Sequence, residues 1–216
     1  MSKHFSDRGK QTRQKILTTA ATLIYEQGAH PTSIDEVLAA SGTGKSQFYH
    51  YFKSKAHLVR EVIVYQLNQL IAEQRSFLEC LDTWAGIEAW FNFIVDWHRQ
   101  RGYIGGCPIG SLAAELADCD PELRATLAAG FDCWESFLKR GLSAMRTRGD
   151  LRPDADPDVL AEATLAAIQG GILLAKTKKE ERPLRNALAV ALVSLRSYAS
   201  DQAQSAPVQT IGGGIS

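Results

Sequence analysis

The sequence predicts an all-α fold: a small three-helix unit at the front, followed by a larger helical bundle. Three observations carry this. Apolar residues recur at three- and four-residue steps almost throughout the 216 residues. Gly/Pro/Asp clusters separate the periodic segments at 102–106, 118–121, 149–157 and 181–183. No segment has the alternating, β-branched pattern of a strand.

Taken in order, Ile16, Leu17, Ala20, Ala21, Leu23 and Ile24 mark a first helix that Gly28 stops. Ser33-Ile34-Asp35-Glu36 is a capping box, in which the serine hydroxyl accepts from the Glu36 amide while the Glu36 carboxylate reaches back. It opens a short helix over 34–40, ended by Ser41-Gly42, and a third helix over 45–51 follows a tight glycine-containing turn. A long periodic stretch covers 55–81. Five more helices are expected over 84–101, 109–117, 121–148, 156–178 and 183–200, and a disordered Ser/Gln/Gly-rich tail from 201 to 216. The domain division expected from this is 1–54, 55–200 and the tail.

Composition narrows the function classes. The 45% hydrophobic content is that of a globular chain, and no stretch approaches eighteen uninterrupted apolar residues, so no membrane span is expected. Residues 1–15 are polar, without the apolar run of an export signal. Cys80, Cys107, Cys119 and Cys133 form no CxxC pair and read as reduced thiols of a cytoplasmic protein. No Ser/His/Asp or paired-carboxylate constellation offers catalysis, and His98 stands without metal-ligand spacing, so neither enzyme activity nor a metal or cofactor is expected.

The net charge of zero hides an asymmetry. Residues 1–60 hold nine Lys/Arg against four Asp/Glu, and no carboxylate lies between Val37 and Arg60. A basic front on an acidic body suits an anionic polymer at the front.

Two readings compete for the basic segment. Residues 39–46, Ala-Ala-Ser-Gly-Thr-Gly-Lys-Ser, fit a relaxed phosphate-binding loop, but such a loop needs a strand feeding it and none is predicted. The better reading is helix–turn–helix, with 45–51 as recognition helix. Phe48 and Phe52 would face the small core, leaving Lys45, Ser46, Gln47, Tyr49 and His50 to face DNA bases and phosphates.

Residues 13–59, and most specifically Phe48-Tyr49-His50-Tyr51-Phe52-Lys53-Ser54-Lys55, resemble the DNA-binding domain of TetR-family transcriptional repressors. The resemblance implies a homodimer on a near-palindromic operator, released by a small-molecule effector, and it adds Thr32, Ser33, Thr43 and Lys55 to the DNA contacts. Gly44 departs from the family pattern, which has Ser or Thr at that cap. Further on, Gly106-Cys107-Pro108-Ile109-Gly110-Ser111-Leu112 and Gln169-Gly170-Gly171 are similar to the branch with lincomycin- and flavonoid-responsive repressors, without carrying its ligands over.

In the body, the aromatics gather on two helices. Trp90, Phe93, Trp97, Phe131 and Trp134, with Cys107, are the candidate walls of a pocket for a planar apolar effector, the alternative being packed core. Cys107 precedes Pro108 and would cap a helix, where the dipole favours a thiolate. That makes thiol-based sensing of oxidants or electrophiles the alternative mechanism. The small residues Ala163, Ala167, Gly170 and Gly171, together with Leu188, Leu192 and Leu195, are the candidate dimer interface.

Overall fold

The computed structural model describes residues 7–200; the expected tail lies outside them. The described residues form nine helices: α1 (Asp7–Gln27), α2 (Ile34–Ser41), α3 (Lys45–Tyr51), α4 (Lys55–Leu78), α5 (Trp84–Gln100), α6 (Pro108–Leu116), α7 (Pro121–Arg148), α8 (Pro157–Lys178) and α9 (Arg182–Arg196). Their starts are chemically marked. The Ser33–Glu36 capping box is made in both directions. Ser54, Thr83, Asp120 and Asp156 each accept from the first-turn amides of the helix they open. Proline stands in the first turn of α6, α7 and α8, where its missing N–H is not needed.

α4 and α9 end several residues earlier than predicted. α4 stops at Leu78 because the following turn is drawn tightly onto the start of α5: a Cβ on Gly86 would sit 1.8 Å from the Cys80 carbonyl oxygen. α9 stops at Arg196 because the chain leaves it to pair with the α7–α8 link. The Ser200 amide donates to the Asp150 carbonyl, and Arg152 to Tyr198.

α1 packs against α2 and α3 to make the front unit and also against α4. α4 crosses α5, α6 and α7; α8 lies between α7 and α9, and α5 closes onto α9. One continuous hydrophobic cluster runs from Ile16 to Leu195. α8 is the one described helix long and apolar enough to cross a membrane, with a mean hydropathy of 1.4. It is used here as a bundle helix, with Leu160, Leu165, Ile168 and Ile172 buried within the chain.

Candidate nucleic-acid interface and effector cavity

α3 is short, and Phe48 together with Phe52, the residue that follows its last turn, faces inward. Phe48 and Phe52 have no exposed surface and contact each other at 5.6 Å between ring centroids. That register turns Lys45, Ser46, Gln47, Tyr49 and His50 to the exposed side, with Tyr49 57% exposed. Lys45 pairs with Asp35 at 3.0 Å, an exposed pair of the kind that contributes little and yields readily to a phosphate. Gly44 supplies no side-chain cap; instead its N–H donates to Gln47 Oε1 at 3.0 Å, so Gln47 is tied back to its own helix start.

The flanking residues are placed differently from expectation. Thr32 is only 2% exposed: its hydroxyl donates to the Gly28 carbonyl at 2.7 Å, because the loop after α1 has to be closed from inside. Ser33 is exposed but its Oγ serves the α2 cap. Thr43 meets Ser41 through their hydroxyls at 2.7 Å. Lys55 is half-buried and donates to the His30 carbonyl at 3.0 Å. Residues 39–46 join two helices, and no strand exists among the described residues, which removes the geometric basis of the phosphate-loop reading.

The α1–α2 loop is also held from the body. The Glu115 carboxylate, near the end of α6, accepts from the Ala29 N–H at 2.8 Å and from the His30 N–H. Gly28 makes this approach possible, with φ at +96° and its Cβ position 3.2 Å from a Glu115 oxygen.

A cavity of about 380 Å³ lies between α1, α4 and α5, floored by Trp134 and Ile172. Of the predicted walls, Phe93, Trp97, Cys107 and Trp134 line it. Trp90 and Phe131 do not. Trp90 is fully buried behind the wall, donating to Gln74 Oε1 at 2.7 Å and meeting Trp134 edge-on, while Phe131 packs on the core from outside. Thr18, Ala21 and Tyr25 of α1 and Gln66 and Gln74 of α4 also line it, and the sequence reading did not include them. Their one sequence signal is glutamine on an apolar helix face.

Most polar groups of the cavity are engaged. Trp97 Nε1 donates to Glu73 at 2.8 Å while Arg101 lies 3.7 Å over the Trp97 ring. Tyr25 donates to the Ile104 carbonyl, and Gln66 Nε2 to the Ala21 carbonyl at 3.2 Å. Gln66 Oε1 and Trp134 Nε1 are buried and have no partner. Burial, and secondarily the Arg101 charge, push His98 down to about 4, so its ring is neutral at pH 7.

Cys107 does cap α6, with the Gly110 N–H 3.4 Å and Gln169 Nε2 3.5 Å from its Sγ. Burial outweighs both and pushes the thiol up, against the thiolate that the cap argument expected.

On the α8–α9 side the interface expectation needs a correction of face. Leu188, Leu192 and Leu195 are buried within the chain, and Gly171 is pressed against Ala187 and Leu184, where a Cβ would find both at 3.0 Å. Ala163 and Gly170 are exposed and Ala167 half-buried. The apolar residues facing outward are Val159, Leu173, Leu174, Val190 and Val193.

Known proteins are similar to this chain in sequence and fold. Residues 16–62 match the family model described as bacterial regulatory proteins, tetR family, and residues 84–191 match the tetracyclin repressor-like C-terminal domain. The chain is 34% identical over 179 residues to an HTH-type transcriptional regulator in the lacX 3′ region of Lactococcus lactis subsp. lactis, covering 79% of this chain and 86% of that one. It is 28% identical over 194 residues to the HTH-type transcriptional repressor NemR of Escherichia coli K12, covering 88% and 94%. The crystal structure of the reduced form of E. coli NemR superposes with a TM-score of 0.74 at 25% identity, over 88% and 97% of the two chains. A TetR transcriptional regulator from Chloroflexus aurantiacus superposes with a TM-score of 0.75 at 26% identity, over 90% and 98%.

Proposed function

This chain belongs to the tetR family of bacterial regulatory proteins and is a DNA-binding transcriptional regulator, and from that premise we propose that it is a cytoplasmic homodimeric repressor released from a near-palindromic operator by a small apolar effector. Residues 1–54 read DNA, and residues 55–200 bind the second copy and, with one wall supplied by α1, the effector. The observation that carries this is the double use of α1. One face of it packs on α2 and α3, and Thr18, Ala21 and Tyr25 form the wall of the cavity. An effector there is one helix away from the reading unit, and whatever conformation it prefers is passed to the spacing of the two α3 helices. Reading successive major grooves requires a spacing of roughly 34–36 Å. The outward α3 residues Lys45, Ser46, Tyr49 and His50 contact the groove, and the apolar face of α8 and α9 meets its own copy across a two-fold axis, with Ala163 and Gly170 inside the contact.

Fluorescence anisotropy of duplexes selected from a random pool tests the reading. Binding falls steeply with salt, and Lys45→Ala weakens all sequences alike while flattening the salt slope by about one. Tyr49→Phe weakens binding without lowering the melting temperature, and Gly170→Arg gives monomers with no operator binding. Unchanged DNA affinity in the α3 variants overturns the reading.

Thiol sensing at Cys107 is the second reading, favoured by the position of that residue on the cavity wall. Its burial supports slow alkylation compared with the exposed Cys80, Cys119 and Cys133. Faster reaction at Cys107, with release of DNA, would establish the thiol mechanism in place of the effector.

A further inference from the structure

We propose that the cavity takes uncharged ring compounds carrying a carbonyl group, whose oxygen accepts from Gln74 Nε2, a donor that Trp90 holds turned inward. The inference rests on the effector reading above and gives its ligand a chemistry.

The walls set the body of the ligand. Leu70, Phe93, Ile94 and Ile172 offer aromatic and aliphatic surface around about 380 Å³, the small end of the range in which drug-sized ligands are held. Gln74 sets its polar end. This residue lines the cavity and is only 7% exposed, and its Oε1 accepts from Trp90 Nε1 at 2.7 Å. An indole N–H can only donate, so the amide cannot turn over. Its oxygen is committed to Trp90 behind the wall, and its NH₂ is the end left to the cavity. Nε2 has no acceptor among the described residues and, unlike Gln66 Oε1 and Trp134 Nε1, is not sealed off by its neighbours. Buried polar atoms are almost always paired, so an amide with unmatched hydrogens on a cavity wall is explained by a guest oxygen that takes them.

The other polar groups of the lining do not compete for this role. Thr18, Thr22 and Tyr25 spend their hydrogens on backbone carbonyls, Gln66 Nε2 donates to Ala21, and Cys107 is occupied at the α6 cap. The Tyr65 hydroxyl and the Gln69 amide have no hydrogen bond, but Tyr65 is half-buried and Gln69 exposed, so water serves them. His98 is the other unpaired group on a lining residue less than a tenth exposed. Its ring is neutral, with one N–H and one lone pair, and offers no charge to an anion. Glu73 and Arg101 are exposed and engaged with Trp97, one through its indole N–H and the other across its ring face. A hydroxyl in place of the carbonyl brings a hydrogen that needs its own acceptor, and the Gln74 oxygen faces away.

Three probes of one ring framework separate these terms: 2-acetylnaphthalene, 2-isopropenylnaphthalene and 2-naphthoate, titrated calorimetrically into the full DNA-free chain at pH 7. The ketone and the alkene differ only in oxygen against methylene, so their affinity ratio reads the hydrogen bond. Gln74→Leu should lower that ratio about tenfold, the cost of burying a carbonyl without its donor, while the alkene stays bound and certifies the fold. Gln74→Glu keeps an acceptor for Trp90 and puts an oxygen where the NH₂ was. A fourth probe, 1-(2-naphthyl)ethylammonium, should therefore bind this variant about tenfold or more tighter than the parent. If Gln74→Leu no longer binds the alkene, the Gln74→Glu result decides. A ratio unchanged in Gln74→Leu, no gain of the ammonium in Gln74→Glu, naphthoate tighter than the ketone on the parent, or no binding of any probe overturns the proposal. A parallel anisotropy titration separates it from the effector reading. Gln74-dependent binding of the ketone with no release of DNA leaves the ligand chemistry standing and defeats the effector role. Release of DNA by ketone and alkene, with their ratio unchanged in Gln74→Leu, does the reverse.

Discussion

Between α1, α2 and α3, Phe48 and Phe52 are completely buried; between α1, α4 and α5 the same helix-on-helix packing leaves a cavity of about 380 Å³. The difference follows from what each region has to keep constant. A surface that presents its side chains in a fixed register gains from a core with a single solution. A receiving region gains from being incomplete, because a guest that completes it binds one conformation better than another.

The largest test of that contrast is to empty the filled side. Phe52→Ala should destabilise the protein by about 3–5 kcal/mol in denaturant unfolding, since the void cannot collapse within so small a unit. Leu70→Ala, on a wall that already faces a cavity, should lose well under half as much. Comparable losses would erase the distinction between filled and open regions.

Next is the pH limb from His98, which tracks the open region. Its folded value of about 4 lies below the ordinary 6.5, so protonation favours the unfolded chain. Its contribution is complete above pH 6.5, is lost as the pH falls towards 4, and is gone below that; the loss is on the order of 3 kcal/mol. His98→Gln should flatten this limb in unfolding curves recorded across that window. An unchanged limb would mean that another group causes it.

Glu115 connects the two regions, and Glu115→Ala should cost about 1–3 kcal/mol by leaving the Ala29 and His30 amides without their acceptor. Faster hydrogen exchange at those two amides is the direct readout, and exchange at the wild-type rate would show that the contact holds nothing. The smallest effect is at the α3 cap. Gly44→Ser restores a hydroxyl where the backbone is already extended and the surroundings open, and should stabilise by about a few tenths of a kcal/mol in thermal melts.

These regions also differ in how far the sequence reveals them. The front unit is specified by short-range chemistry: the Ser33–Glu36 box, Gly42 in the left-handed conformation, and two phenylalanines one turn apart. Each is visible within a few residues, so the helices and the outward face of α3 were legible. Thr32 was misplaced because only the path of the loop decides whether its hydroxyl turns in. Gln66 and Tyr25 were missed because a polar residue on an amphipathic helix reads as solvent-facing until a third helix covers it. On α9, Leu188, Leu192 and Leu195 compete with Val190 and Val193 as the buried stripe. Periodicity identifies both stripes but does not say which one faces α8. The cap role of Cys107 was readable from Pro108; its burial under α8 was a tertiary fact.

The double packing of α1 has a consequence for folding. Its buried residues Ile16, Leu17, Ala20, Ala21 and Ile24 belong to the same uninterrupted cluster as the body. The front unit therefore has no core that it owns alone, and opening it strips apolar cover from α4 as well. Partial unfolding that frees α2 and α3 while sparing the rest is correspondingly expensive, and heat should melt the chain in one cooperative transition.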